Sequence, residues 1–198
     1  MVYIVTGRIN SGKTTKMIEL FKGLNGQRSV EGMSGPGSES VYATGNATSN
    51  DTGKDAIDYN RLDMNSDGFI AEKIMVGNQV NGYKATQLSN GNQMDLIVRE
   101  EDVAKDYETL CQIGPYCLSK KAVSWIETCI KDMIGFGMKA IFLDEIGPLE
   151  LAGKGFDGIL QKMLKSRSNI YITVREDLIQ DVVTRYDIKK YQLIKTGD

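Results

Sequence analysis

Four consecutive apolar residues, Val2-Tyr3-Ile4-Val5, stand ahead of Thr6-Gly7, a run that predicts a buried strand. Beyond Gly12 the apolar positions Met17, Leu20, Phe21 and Leu24 recur at helical spacing and predict an amphipathic helix ending near Asn25-Gly26. Strand, glycine-containing loop and helix form the opening unit. From about residue 27 to residue 66 the patterning disappears: Gly, Ser, Asn, Thr and Asp dominate, and large apolar groups are too few to offset chain entropy. This stretch reads as a long, flexible polar insertion on the surface.

Periodicity resumes at Phe69. The segments Phe69 to Val76, Tyr83 to Leu88 and Met94 to Val98 are separated by Asn81-Gly82 and by Ser89-Asn90-Gly91-Asn92, which predicts a small antiparallel β-meander with turns at those two places. Ala122, Ile126, Cys129, Ile130 and Met133 then mark a long helix stopped by Gly135-Phe136-Gly137. Ala140-Ile141-Phe142-Leu143 is a continuous apolar run closing on Asp144-Glu145, the pattern of a buried strand with acids at its C-terminal end. There follow a helix through Phe156, Ile159, Leu160 and Met163, a strand from Ile170 to Val174, a helix through Leu178, Val182 and Val183, and a last strand from Tyr191 to Ile194. Strands alternating with helices predict an α/β fold with a mainly parallel sheet flanked by helices. A length of 198 residues suits a single domain over 1–198.

Charge and composition narrow the function classes. Lys and Arg number 24 against 26 Asp and Glu, a net charge of −2, so no basic field exists to hold nucleic acid or an anionic membrane. Mean hydropathy is −0.28, no apolar run is long enough to span a bilayer, and Met1 to Gly7 lacks the basic start of a leader; a cytoplasmic protein without a membrane partner is expected. The absence of histidine excludes imidazole zinc sites and Ser-His or Cys-His catalytic pairs. Cys111, Cys117 and Cys129 fit no zinc or redox spacing and read as reduced thiols.

Gly7-Arg8-Ile9-Asn10-Ser11-Gly12-Lys13-Thr14 fits the Walker A pattern. A loop wrapping a phosphate turns successive backbone N–H groups inward, which demands glycine where side chains would obstruct, and the helix N-terminus adds partial positive charge. Lys13 is then placed to reach the β- and γ-phosphates and the Thr14 hydroxyl to complete an Mg²⁺ shell, with Thr15 at the α-phosphate. The magnesium carboxylate such a loop requires is supplied by Ile141-Phe142-Leu143-Asp144-Glu145: Asp144 for the metal, Glu145 to polarise an attacking water.

Other signals carry less. Asp63 to Gly68 starts like a calcium loop, yet Ile74 stands where its bidentate Glu is due, so an accidental turn is the simpler reading. Leu88 to Gln93 reads as a hairpin turn, and no Asn-Lys-x-Asp guanine-reading segment is present.

Gly7 to Thr15 together with Phe142-Leu143-Asp144-Glu145-Ile146-Gly147-Pro148-Leu149-Glu150-Leu151 resembles the THEP-type small nucleoside-triphosphatases. Gly68 to Glu72, Val80 to Tyr83 and Val174-Arg175-Glu176 add to the likeness, which covers most of the chain outside the insertion. The resemblance implies a RecA-like P-loop fold and Mg²⁺-dependent hydrolysis of nucleoside triphosphates such as ATP and GTP to diphosphates, with broad base tolerance. It also implies Glu145 as the water-activating base and Arg175 as a nucleotide contact, while Glu150 fixes the loop after the strand. The insertion departs from the family pattern; it is open as a lid or as a surface for a protein partner.

Two alternatives use the same loop. A nucleotide or small-molecule kinase would exclude water in favour of an acceptor; against it, the insertion holds only Arg28 and Arg61 to build a lid. A slow nucleotide-dependent switch would bind a partner through the insertion.

Overall fold

The structure, a computed structural model, describes residues 1–26 and 65–197. The insertion expected over residues 27–66 lies outside these, apart from Asn65 and Ser66, so the lid and partner readings attached to it fall outside the described residues as well. The chain runs β1 (Val2–Gly7), α1 (Lys13–Gly26), β2 (Ser66–Val76), β3 (Gln79–Gln87), β4 (Gln93–Arg99), β5 (Thr109–Ile113), β6 (Tyr116–Ser119), α2 (Lys120–Gly135), β7 (Ala140–Ile146), α3 (Pro148–Leu151), α4 (Asp157–Lys165), β8 (Asn169–Arg175), α5 (Ile179–Arg185) and β9 (Tyr191–Lys195).

Among the described residues all the strands join one nine-stranded sheet in the order β5-β6-β4-β3-β2-β7-β8-β1-β9. From β2 to β9 every neighbouring pair is parallel; from β2 to β5 every pair is antiparallel. The expected α/β architecture is present. The meander continues the main sheet through β2, and it is larger than expected because β5 and β6, short and weakly patterned, add two strands to it.

Continuous apolar runs in β1, β7 and β8 follow from burial on both faces. Alternate residues of each strand serve opposite layers. Ile4, Ile141, Leu143, Ile170 and Ile172 join the core beneath α2, α4 and α5, while Val5, Phe142 and Tyr171 join Met17 of α1 on the other face. On that face Tyr3, Tyr171 and Phe142 lie side by side in the strand register and stack with centroids 4.5 Å apart at each step, and Phe21 of α1 meets Phe142 edge-on at 6.0 Å. This ladder seats the helix that follows the glycine loop.

One of the two meander turns differs from expectation. The β2–β3 hairpin turns at Gly77-Asn78, and Asn81-Gly82 lies inside β3. Ile74 pairs with Gly82 and Met75 with Val80, leaving Asn81 as a bulge. Glycine is needed at position 82 for close approach: a Cβ there would stand 2.3 Å from the Ile97 carbonyl oxygen. The turn at Ser89 to Asn92 forms as expected.

β2 begins before Phe69, at Ser66. Of the calcium-like segment, Asp63 and Met64 lie outside the described residues, and Asp67-Gly68 belongs to β2 instead of a turn. Asp67 is fully buried, and its carboxylate accepts hydrogen bonds from Gln87 Nε2 at 2.7 Å and Ser89 Oγ at 2.8 Å. A buried carboxylate held by several donors secures the start of the strand. Cys111, Cys117 and Cys129 are free thiols, as expected; burial pushes the Cys129 thiol up to about 11.

Candidate active site

β1 hands the chain directly to the glycine loop and α1. Gly7 is packed so closely that a Cβ would fall 2.3 Å from Thr196 Oγ1 and 2.4 Å from Ser11 Oγ. The same contacts tie the loop to the chain beyond β9: Ser11 Oγ and Thr196 Oγ1 are 2.6 Å apart, and the Thr196 amide donates to the Thr6 carbonyl at 2.9 Å. Thr196 has no motif signal in the sequence. Lys13 Nζ folds back over the loop and donates to the Arg8 carbonyl at 2.8 Å and the Gly7 carbonyl at 3.3 Å. Arg8, Ile9 and Asn10 are exposed on the loop, and Thr15 is exposed on the first turn of α1.

β7 brings the acids to this loop. Asp144 is almost fully buried; its Oδ2 accepts from the Thr14 hydroxyl at 2.7 Å and from the Ala71 amide at 3.2 Å. Its Oδ1 accepts from the Thr173 hydroxyl at 2.5 Å and the Glu145 amide at 3.0 Å. Thr173, on β8 between β1 and β7, is a site residue that sequence reasoning missed. It looks in sequence like an ordinary strand threonine.

Glu145 owes its direction to a bulge. Leu143 pairs with Ile172 and Ile146 with Val174, so Asp144 and Glu145 together face the single residue Thr173. Glu145 takes a left-handed backbone with φ 64°, stabilised by a 2.8 Å hydrogen bond from its amide to Thr173 Oγ1. For a non-glycine residue that conformation is costly and is characteristic of functional sites. The bulge turns the Glu145 side chain out into the cleft beside Lys13. Desolvation there, reinforced by the charge of Asp144, raises its carboxyl above the ordinary value, while Lys13 and Lys73 act in the opposite sense.

The cleft over the loop has a volume of about 430 Å³ and is lined by residues 10–15 together with Ala71, Lys73, Tyr83 and Glu145. Lys73 was also missed in the sequence; it projects from β2 and hydrogen-bonds Asn10 Oδ1. Arg175 ends β8 and pairs with Asp177 at 3.1 Å. It lines a shallow pocket with Gly7 and Arg8 and also a deeper one shared with Lys13 and Glu145. Glu150 accepts from the Gly147 amide at 2.9 Å and the Phe156 amide at 3.0 Å, holding the loop after β7 closed. Burial raises its carboxyl above the ordinary value.

A model of the NTPase family matches residues 54–196. The chain belongs to the NTPase family. It is therefore a hydrolase acting on nucleoside triphosphates, the class to which the THEP-type resemblance pointed. Gly7 to Thr15 precede the matched stretch, so the reading of these residues as a phosphate loop rests on this chain's own sequence and geometry. Among solved structures the chain is similar to the crystal structure of THEP1 from the hyperthermophile Aquifex aeolicus, at 16% identity and a TM-score of 0.58, covering 100% of this chain and 90% of that one. It is also similar to the solution structure of a human cancer-related nucleoside triphosphatase, at 17% identity and a TM-score of 0.59, covering 100% of this chain and 89% of that one. At these identities the likeness is one of fold. Curated proteins yield no match. Among the described residues of this NTPase no helix is long and apolar enough to cross a membrane.

Proposed function

We propose that the chain, as a single domain, hydrolyses nucleoside triphosphates to diphosphate and phosphate with Mg²⁺ and with broad tolerance of the base. The observation that carries this reading is the convergence on one cleft of Lys13, the Thr14–Asp144 hydrogen bond and Glu145. The donors and acceptors grouped there are loop amides, lysines, hydroxyls and carboxylates, which recognise phosphate and leave the base unread.

The residues fit magnesium. Thr14 and Asp144 offer a hydroxyl and a carboxylate oxygen within 2.7 Å of each other, a hard oxygen pair of the kind this ion takes alongside substrate phosphates. These two would hold it, and when bound it neutralises charge accumulating between the β- and γ-phosphates.

The protein's own groups carry the remaining roles. The amides of residues 8 to 15 cradle the phosphates at the head of α1. Lys13 releases its two carbonyls and pairs with the β- and γ-oxygens, and Lys73 approaches from the β2 side. Glu145 orients a water on the far side of the γ-phosphate and accepts its proton. Arg175 and Thr15 complete the nucleotide contacts.

The test is phosphate release from ATP, GTP, CTP and UTP with Mg²⁺, measured for wild type, Lys13→Ala and Glu145→Gln. Turnover of several nucleotides, lost in both variants, is expected. Full turnover in Glu145→Gln would overturn the catalytic assignment.

A further inference from the structure

Beyond the γ-phosphate end of the cleft lies a second cavity of about 360 Å³. Lys13, Ala71, Tyr83 and Glu145 line both spaces, so the two meet where the terminal phosphate would be attacked. Its walls differ in kind from the phosphate cleft. Leu96, Ile97, Ile113, Leu118, Leu149 and Phe156 make most of them, drawn from the antiparallel wing and from the segment after β7. A volume in this range, apolar walls and a few convergent polar groups describe a small-molecule site. A water-activating site needs no such chamber.

Few charged side chains line it. Glu145 and Lys13 stand at the junction, and Arg175 lines the wall with its Nε buried and without a hydrogen-bond partner. Glu150 also borders the cavity, but both its carboxylate oxygens are taken up by the Gly147 and Phe156 amides. A ligand that fits has an apolar ring or branched chain against the aliphatic wall and a polar head at the phosphate junction.

We propose that this cavity seats a small alcohol with an aromatic or alicyclic body, and that the chain transfers the γ-phosphoryl group to its hydroxyl when it is present. The proposal rests on the hydrolase reading of Lys13 and Glu145. The hydroxyl oxygen forms a bond to the γ-phosphorus, and the bond from that phosphorus to the β–γ bridging oxygen breaks with its electron pair. The hydroxyl proton passes to the Glu145 carboxylate. The products are a phosphate monoester and a nucleoside diphosphate, and water takes the place of the alcohol when the cavity is empty.

The experiment follows ATP and Mg²⁺ by phosphorus NMR with millimolar benzyl alcohol or cyclohexylmethanol, with toluene as a probe lacking the hydroxyl. The expected result is a phosphate monoester beside inorganic phosphate, its share falling when toluene competes. In Ile113→Trp, which intrudes on the wall from β5, the ratio of ester to phosphate should fall at least tenfold; an unfolded fraction leaves that ratio unmoved. Phosphate alone from every alcohol, with unaltered turnover, overturns the proposal while leaving the hydrolase reading intact. Undiminished phosphate release in Glu145→Gln would instead overturn the assignment of Glu145 as the base, on which this proposal rests.

Discussion

The Thr14 hydroxyl donates to the Asp144 carboxylate at 2.7 Å across 130 positions of sequence, joining the first turn of α1 to the end of β7. β8 lies between β1 and β7 in the sheet, so the contact spans the width of one intervening strand. Thr173 of that strand holds the other carboxylate oxygen. The carboxylate is thus fixed before any ligand arrives, and preorganisation of this kind places charge where it is needed without reorganisation during reaction.

In Asp144→Asn an amide N–H₂ must face either the Thr14 or the Thr173 hydroxyl, and the oxygen charge available to a cation is lost. Turnover should fall by at least about 100-fold, and the Mg²⁺ concentration for half-maximal activity should rise. A magnesium titration of phosphate release, beside circular dichroism to check the fold, measures both.

Glu145 acts as base only when ionised. Its carboxyl is raised above the ordinary value by desolvation and by Asp144, so kcat/KM should climb with pH along an acidic limb displaced upward from the usual carboxylate range. Glu145→Gln should lower kcat about 100- to 10,000-fold and remove that limb while nucleotide binding persists. A pH profile of kcat/KM with binding measured by calorimetry checks the pair of outcomes; an unchanged limb in the variant would assign it to another group.

Lys73 lies across the phosphate cleft from Lys13 and holds Asn10, itself in a left-handed conformation with φ 64°. A charge-assisted hydrogen bond to phosphate is worth about 1.5–3 kcal/mol, so Lys73→Ala should raise KM for ATP roughly tenfold or more. Diphosphate affinity should change much less if Lys73 contacts the γ-group. Inhibition constants for ADP beside KM for ATP separate the two.

Phe142 is fully buried between Tyr171 and Phe21, directly two residues before Asp144. Phe142→Ala should cost about 3–5 kcal/mol of stability by opening a cavity beneath α1. Urea denaturation measures it, and a loss below about 1 kcal/mol would show that α1 settles into the space.

The parallel half of the fold was legible because β1, β7 and β8 carry unbroken apolar runs that only double-sided burial explains. The candidate loop Gly7 to Thr15 and the Asp144-Glu145 pair, which the fold brings to one cleft, stood out in the sequence because the proposed chemistry requires particular residues at particular spacing. Thr173 and Lys73 were not: each is ordinary in its own strand, and its role arises from register, Thr173 by facing the β7 bulge and Lys73 by lying opposite Asn10. Asn81-Gly82 misled for a related reason. A glycine demanded by the nearness of Ile97 has the same sequence signature as one demanded by a turn.

The tie between Ser11 and Thr196 gives the last expectation. Thr196 makes three hydrogen bonds here: its backbone amide donates to the Thr6 carbonyl at 2.9 Å, which any residue would do, while its hydroxyl donates to the same carbonyl at 3.1 Å and meets Ser11 Oγ at 2.6 Å. Thr196→Val keeps the amide bond and the side-chain shape but removes both hydroxyl bonds, leaving the Ser11 hydroxyl without that partner on a loop whose amides must already point inward. A neutral hydrogen bond of this kind contributes about 0.5–1.5 kcal/mol, so KM for ATP should rise about two- to tenfold as the loop loses preorganisation. Because Lys13, Asp144 and Glu145 are untouched, kcat should hold within about twofold once nucleotide is bound. Steady-state kinetics on Thr196→Val and Thr196→Ser decide it: the serine variant restores the hydroxyl and should recover KM, whereas equal defects in both would place the effect in packing of the threonine methyl instead of in the hydrogen bond.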